Sequence, residues 1–335
     1  MTNSPSPAAR GALTSTTGPP VAPARYSSYA LEKLVDLAKP PMLFDVSAYD
    51  PGSRSYLLSD ITNDSVDIVD AQTGTLRTMI PGIPGPSGIV VISGTDQAWI
   101  GDASSEIKVL DLRTDQVIDT ISTHGQLRTD ELTYDPADHI VVVENDLDSP
   151  PFVTLISTTH RRIIRTIRVP NATRGLEAPL WDSEMRRFYV AVPMLTKQPG
   201  GALLTIDAHG NETGGLTLTA CHPAGIAALP ARRLFVGCDT SVKIVDATNG
   251  RTVFSDPTGA TSSDEVGVAL GSDLAFAATS VGVAVVDTRT GKLMQMISTP
   301  TGAHSLAVDP TSAQLFVPVP AYGAALFGTI GKRRG

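Results

Sequence analysis

PAGIAALPARRLFVGCDTSVKIVDATNG, residues 223–250, contains three short apolar runs separated by turn-forming residues. The runs at 226–228, 234–236 and 242–245 are rich in branched side chains, which is typical of β-strands. A fourth apolar run follows at 252–254. Four antiparallel strands in about 40 residues form a small sheet that cannot bury both of its faces alone. The stretch therefore predicts one unit of a repeat protein.

The same unit recurs along the chain at a nearly constant spacing. Its inner-strand copies begin at residues 45, 87, 130, 177, 224, 264 and 304, so successive copies are 42, 43, 47, 47, 40 and 40 residues apart. Third-strand copies include VDIVDAQTG at 66–74, IKVLDLRTD at 107–115 and VAVVDTRTG at 283–291. A period of roughly 40–45 residues with four strands indicates propeller blades. Seven copies predict an all-β, seven-bladed β-propeller with four antiparallel strands per blade.

Two stretches resemble a known repeat family. GIAALPARRLFVGCDTSVKIVDATNG at 225–250 and SLAVDPTSAQLFVPV at 305–319 look like the YVTN repeat of seven-bladed β-propellers. The resemblance covers about residues 30–330 and implies the propeller fold. It implies little chemistry, because one propeller scaffold hosts many functions. The Gly-His and Trp-Asp signature of WD40 blades is missing, since Trp181-Asp182 is an isolated pair.

Composition excludes two classes of partner. The net charge is −8, and an acidic surface argues against nucleic acid and against anionic membranes. No apolar run reaches the roughly 18 residues needed to span a bilayer. Residues 1–28 are rich in Ser, Thr, Pro, Ala and Gly and contain no signal-peptide core. We therefore expect a disordered leader at 1–28 and a cytoplasmic protein, with an exported form left open.

The last blade predicts how the ring closes. After residue 304 only three strands remain before the chain ends, so the seventh blade lacks its outer strand. The segment KLVDLAKP at 33–40 is similar to outer-strand copies such as VIDTIST at 117–123. We predict that residues about 31–37 supply the missing strand. Closure of the ring removes two unpaired sheet edges. The predicted propeller domain therefore covers residues 29–331.

Side chains at the start of each inner strand should border the central channel. Packing would tolerate Gly, Ala or Ser here, and two blades have such residues, but four blades carry a carboxylate and one carries an imidazole. The seven positions are Asp45, Ser87, Asp130, Glu177, Ala224, Asp264 and His304. Further polar residues beside them are Glu131, Glu265, His222, Asn145, Arg128 and Arg174.

Converging carboxylates raise one another's pKa unless a cation neutralises them, which leaves three interpretations open. In the first, Asp45, Asp130, Glu177, Asp264 and His304 hold a divalent metal such as Ca²⁺, Mg²⁺, Mn²⁺ or Fe²⁺. In the second, acid–base chemistry runs without metal on His304, Glu177, Asp130 and Glu131. In the third, the ring is a solvated acidic funnel. In the first two interpretations, the substrate would be bound by Asn145, His222, Glu265, Arg128 and Arg174.

These patterns favour a small-molecule enzyme or a ligand-binding propeller. With metal, hydrolysis of an ester or lactone by an activated water is expected; without it, isomerase, cyclase or lyase chemistry is equally compatible. LEAPLWD at 176–182 is similar to the glutamate-bearing strand of gluconolactonase-like propellers, where the resemblance implies a metal-binding role for Glu177. The competing class is a non-catalytic propeller that presents its loops to a protein partner.

The chain contains two cysteines, Cys221 and Cys238. One precedes the inner strand of the fifth blade and the other ends its hairpin partner, so strand geometry predicts that they are neighbours. They would form a disulfide in an oxidising compartment or remain thiols in the cytosol. A thiolate metal site with His222 is the remaining alternative.

Overall fold

The computed structural model describes residues 28–39, 41–260 and 262–330. The predicted leader at 1–28 therefore lies, except for its last residue, outside the described residues. The described chain consists of strands and turns with one short 3₁₀ helix, Leu270–Ser272. No helix in the described ranges is long and apolar enough to cross a membrane.

The strands form seven four-stranded antiparallel sheets, each a blade of a propeller. Blade 1 contains β2 (Ser47–Asp50), β3 (Ser55–Asp60), β4 (Ser65–Asp70) and β5 (Thr75–Pro81). Blade 2 contains β6 (Ile89–Ile92), β7 (Gln97–Gly101), β8 (Glu106–Asp111) and β9 (Gln116–Ser122). Blade 3 contains β10 (Leu132–Asp135), β11 (Ile140–Asn145), β12 (Phe152–Ser157) and β13 (Arg162–Arg168). Blade 4 contains β14 (Glu177–Asp182), β15 (Arg187–Val192), β16 (Ala202–Asp207) and β17 (Glu212–Thr217).

The remaining blades repeat this arrangement. Blade 5 contains β18 (Ile226–Leu229), β19 (Arg233–Gly237), β20 (Ser241–Asp246) and β21 (Thr252–Pro257). Blade 6 contains β22 (Ser263–Ala269), β23 (Leu274–Thr279), β24 (Gly282–Asp287) and β25 (Leu293–Ser298). Blade 7 contains β26 (Ala307–Val308), β27 (Leu315–Val319), β28 (Gly323–Thr329) and β1 (Tyr29–Val35). The predicted seven-bladed β-propeller is confirmed.

The inner strands contact one another in a closed ring. Each of β2, β6, β10, β14, β18 and β22 contacts the next in this order, and β26 contacts both β22 and β2. Because successive blades are related by rotation about one axis, the residues that precede the inner strands converge at one end of the channel. We call this end the channel mouth.

The core lies between the blades rather than within one layer. The described residues form seven apolar clusters, one at each interface between neighbouring sheets. In β11, Val141 and Val143 pack toward blade 2 whereas Val142 packs toward blade 4. Both faces of a blade are therefore buried, which explains why the second and third strands are continuous apolar runs instead of alternating ones.

The outer strand of blade 7 comes from the opposite end of the described chain. β1 pairs antiparallel with β28, from Tyr29 opposite Thr329 to Val35 opposite Ala324. Its bounds lie two residues before the range 31–37 suggested by the repeat. Tyr29 is buried, and its hydroxyl donates a hydrogen bond to the Ala313 carbonyl at 2.8 Å. These contacts attach the strand to its blade through both backbone and side chain.

Candidate functional site at the channel mouth

Backbone hydrogen bonds place the residues at the channel mouth beside the ends of the second strands. The Asp45 amide donates to the Ser59 carbonyl at 3.0 Å, and the Asp130 amide donates to the Glu144 carbonyl at 2.9 Å. The Ala224 amide makes the equivalent bond to Gly237 at 3.1 Å. Repetition of this bond in different blades puts chemically different side chains at equivalent places around the channel.

Arg128 connects two blades across the channel mouth. Its guanidinium donates to Asp45 at 3.1 Å, to Asp146 at 3.1 Å, and to Asp130. Burial of the guanidinium would lower its pKa, but Asp130, Asp146 and Asp45 outweigh this and raise the pKa of Arg128. Arg128 is thus a fixed cation that neutralises part of the acidic ring, and Asp146 is a member of the site that sequence reasoning missed.

His304 is held between two carboxylates from neighbouring blades. Its Nδ1 lies 2.7 Å from Asp264 Oδ2, and its Nε2 lies 3.1 Å from Asp45 Oδ1. The hydrogen bonds with Asp264 and then Asp45 raise the pKa of His304 to about 11. Half of the side chain, 48%, is nevertheless exposed. At neutral pH His304 is therefore an imidazolium that faces solvent, and both ring nitrogens act as donors.

Several carboxyl groups near these cations retain protons at neutral pH. Burial, followed by the charges of Asp264 and Asp146, raises the pKa of Glu177 to about 8. Burial and Asp264 raise the pKa of Glu265 to about 7, and burial also raises those of Asp130 and Glu131 well above their ordinary range. Desolvation disfavours the ionised form of each group. The mouth therefore contains groups that gain or lose a proton near pH 7.

Glu144 was not anticipated from the sequence. Its side chain is fully buried, and neither carboxyl oxygen has a hydrogen-bond partner among the described residues. Burial first, then the charges of Asp130 and Asp146, raise the pKa of Glu144 well above its ordinary range. The sequence signal was weak, because Glu144 ends an apolar run, VVVEN, in which a buried residue would normally be apolar.

Asn145 lies next to the site and contacts the segment that carries Arg128. It is fully buried, and its Nδ2 donates to Ser105 Oγ at 2.8 Å and to the Arg128 carbonyl at 3.1 Å. These bonds attach the segment that carries Arg128 to blades 2 and 3. These bonds allow Asn145 to orient that segment, and its substrate-binding role stays a prediction.

Arg174 and His222 form a second group on the side of blades 4 and 5. Asp239 Oδ2 lies 2.6 Å from His222 Nδ1 and 3.6 Å from Arg174 Nη1. His222 Nε2 lies 2.7 Å from the Pro199 carbonyl. Both residues contact Asp239, and His222 also contacts the loop at 193–200. No hydrogen bond or ion pair within the described ranges joins either of them to Asp45 or His304.

Cys221 and Cys238 form a disulfide in the structure, with their Cα atoms 4.7 Å apart. The bond links the segment before β18 to the residue that follows β19 in blade 5. Both cysteines are buried, and they directly precede His222 and Asp239. The disulfide thus holds together the two backbone segments that carry the His222–Asp239 pair.

A cavity of about 340 Å³ opens in the channel wall. Inner strands of blades 1, 6 and 7 line it, including the small residues Ala48, Gly267 and Ala307. Glu265 is also part of the lining, so one of the carboxyls with a raised pKa borders open space. This volume lies within the range of small-molecule sites.

The metal set proposed from the sequence is only partly brought together. His304 contacts Asp45 and Asp264 directly, while Arg128 joins Asp45 to Asp130. Within the described ranges, no group of three or more His, Cys, Asp or Glu side chains is arranged to hold a metal ion. In this arrangement Arg128 and His304 contact carboxylate oxygens of Asp45, Asp130 and Asp264.

Comparisons with known proteins found no family model and no curated protein that matches the chain. Function must therefore be inferred from the site itself. The propeller itself stands on the seven sheets and their closed ring of inner strands. Because propellers serve many functions, the fold does not select one. The chemistry of the mouth must do so.

Proposed function

We propose that this propeller binds a small molecule at the channel mouth and transforms it by acid–base chemistry. The observation that carries the proposal is the combination of Glu177 and Glu265, whose pKa values are raised to about 8 and about 7, with two cations at the same opening. Groups with such pKa values exchange protons most effectively near neutral pH. We also propose that the blades are YVTN repeats, which the stretches at 225–250 and 305–319 resemble.

The two glutamates suit complementary roles. Both carboxyl groups titrate close to neutral pH, so near pH 7.5 each exists in protonated and ionised forms. Two such carboxyl groups at one opening can divide the roles of general acid and general base between them. In hydrolysis of an ester or lactone, Glu265 would take a proton from the attacking water. Glu177 would then donate a proton to the leaving oxygen as the carbon–oxygen bond breaks.

Arg128 and His304 supply fixed positive charge in this proposal. Both contact Asp45, and both keep their charge at neutral pH because surrounding carboxylates raise their pKa values. Cations already oriented toward a reacting group stabilise negative charge that develops on its oxygen. The same pair would stabilise the enolate of an isomerase, cyclase or lyase reaction. His304 therefore acts as a cation rather than as the proton carrier expected from its sequence position.

The test is a turnover screen against a panel of lactones and carboxylic esters, followed by proton release at pH 7.5. Glu177→Gln should lower kcat by about 100-fold or more, because general acid catalysis contributes roughly 10²–10⁴-fold. The matched control is Glu184→Gln, in the turn after the same strand on the opposite face, and it should keep full activity. Equal rates in both variants, or no turnover of any compound, would overturn the hydrolytic form.

A divalent metal is the competing form of the proposal. The two unpartnered oxygens of buried Glu144 are the observation that supports a cation nearby. A bound Ca²⁺, Mg²⁺, Mn²⁺ or Fe²⁺ would supply Lewis-acid chemistry. Elemental analysis of protein purified without chelator should then give about one equivalent. Sub-stoichiometric metal, together with an unchanged melting temperature on adding Ca²⁺, Mn²⁺ or Zn²⁺, would exclude this form.

The other class is an interaction propeller with a protein partner and no chemistry at the mouth. It predicts that Glu177→Gln and His304→Ala leave every ligand-induced shift of the melting temperature unchanged. Under our proposal, the same substitutions abolish the shift produced by a small-molecule ligand while the fold is preserved. Circular dichroism of each variant verifies the fold and makes the two outcomes distinguishable.

A further inference from the structure

The outer strand of blade 4 differs from those of other blades, as a comparison of residues at equivalent positions of the repeat shows. Where Gly215 pairs with Leu204, the equivalent outer-strand residues of blades 1, 2, 3, 5 and 6 all carry side chains. These are Met79, Thr120, Thr166, Ser255 and Met296. Gly214 before it has φ +124°, a conformation that only glycine adopts easily, and no atom lies within 4 Å of where its Cβ would be.

A crevice of about 480 Å³ lies between blades 3 and 4, and Gly214 and Gly215 are part of its lining. Its apolar part is formed by Val169, Val192, Leu195 and Leu204. The loop at 193–200 closes one side by folding onto the segment before blade 4. Two hydrogen bonds hold this contact, Thr196 to the Asn171 carbonyl at 3.0 Å and Thr173 to the Met194 carbonyl at 2.9 Å.

Two opposite charges line the same crevice, and both are exceptions in the repeat. Arg168 ends β13, at a position where other blades have Pro81, Ser122, Thr217, Pro257 and Ser298. Glu212 begins β17, where other blades have Leu76, Val117, Ile163, Thr252 and Leu293.

Neither charge has an ionic partner in the part of the chain that the structure describes. No ion pair joins Arg168 to Glu212, and none joins either of them to another residue there. The Arg168 guanidinium instead lies over the ring of buried Phe152, 5.4 Å from its centroid. A cation–π contact of this kind orients the guanidinium without neutralising it. Its hydrogen-bond donors therefore stay available to a carboxylate.

We infer that this crevice binds a zwitterion with an apolar body, of about the size of a dipeptide. Arg168 receives its carboxylate, Glu212 receives its ammonium group, and Leu195 and Leu204 contact its apolar side chains. The volume is sufficient for such a ligand, since small-molecule sites span about 300–1,000 Å³. The inference is independent of the chemistry proposed for the channel mouth, because none of the lining residues belongs to that site.

The experiment is a calorimetric titration of the full chain with the dipeptide Leu-Leu. Two matched probes each lack one charge: N-acetyl-Leu-Leu has no ammonium group, and Leu-Leu amide has no carboxylate. We expect saturable binding of Leu-Leu and at least about tenfold weaker binding of both probes, because each lost charge-assisted hydrogen bond contributes about 1.4 kcal/mol or more.

Three variants locate the binding. Gly215→Met, which copies blades 1 and 6, should fill the crevice and abolish binding, and Arg168→Gln should weaken it about tenfold. Arg162→Gln, at the other end of β13, is the control and should bind as the original protein does. Absence of saturable Leu-Leu binding would overturn the inference. So would equal binding of the three peptides, or unchanged binding by Gly215→Met and Arg168→Gln.

Discussion

Replacing Arg128 by methionine tests the electrostatic design of the channel mouth. The change keeps most of the aliphatic stem but removes the cation that contacts Asp45, Asp130 and Asp146. These three carboxylate side chains are only 11%, 7% and 6% exposed, so solvent replaces little of the lost interaction. The variant should therefore be destabilised at neutral pH, when at least some of these groups are ionised.

The size of the effect follows from burial. Removing one partner of a fully buried ion pair costs about 3–5 kcal/mol, because it leaves an uncompensated charge. The Arg128 side chain is 35% exposed, so screening by solvent reduces the expected loss to about 2–3 kcal/mol. A carboxylate without its cation is relieved by taking up a proton. Burial already raises the pKa of Asp130, and loss of the neighbouring cation raises it further, so the difference between variant and original protein should shrink as the pH falls from 7.5 to 4.5.

Urea denaturation followed by circular dichroism at both pH values measures this difference. Arg77→Met is the matched control: Arg77 pairs with Asp115 at 2.7 Å, and both side chains are 32% exposed. An exposed pair contributes about 0.2–1 kcal/mol, so this control should lose little stability. If Arg128→Met loses no more than Arg77→Met, or if its loss is the same at both pH values, the electrostatic reasoning is refuted.

Three further predictions concern stability. His304→Gln should lower the melting temperature most below pH 6.5, and the difference from the original protein should disappear as the pH rises through about 11. The reason is that a raised imidazole pKa stabilises the fold only while the imidazole is protonated. Thermal melts across this pH range test the prediction, and a difference that grows with pH would contradict it. Deleting residues 1–38 removes β1 and should lower the melting temperature sharply, whereas an equally large drop on deleting 1–25 would argue against the importance of that strand. Replacing Cys221 and Cys238 by serine should cost about 3 kcal/mol in urea denaturation, as expected for a loop of 17 residues, and a loss near zero would show that the bond is absent in solution.

The site proposal and the crevice inference can fail separately. Glu177→Gln acts at the channel mouth, whereas Gly215→Met fills a space between the outer parts of blades 3 and 4. Loss of turnover with intact dipeptide binding would support the first site alone. Loss of dipeptide binding with intact turnover would show that the crevice is a second, independent site.

The blade number and the positions of the mouth residues were determined by the sequence itself. The period of 40–47 residues, with four apolar runs in each unit, predicts a ring of seven blades, since small sheets must bury both faces against neighbours. Equivalent positions in equivalent blades then meet around one axis. This symmetry is why Asp45, Asp264 and His304 could be grouped from sequence although they lie far apart along the chain.

Only the tertiary structure decided how those side chains pair. Arg128 reaches Asp45, 83 residues away, and His304 bridges Asp45 and Asp264, because the rotation between blades and the chosen rotamers bring particular atoms within 3.1 Å. Strand register carries no information about contacts across the channel. For the same reason, the burial of Glu144 and the crevice beside Gly215 could not be read from spacing, since both depend on which side chains a neighbouring blade supplies.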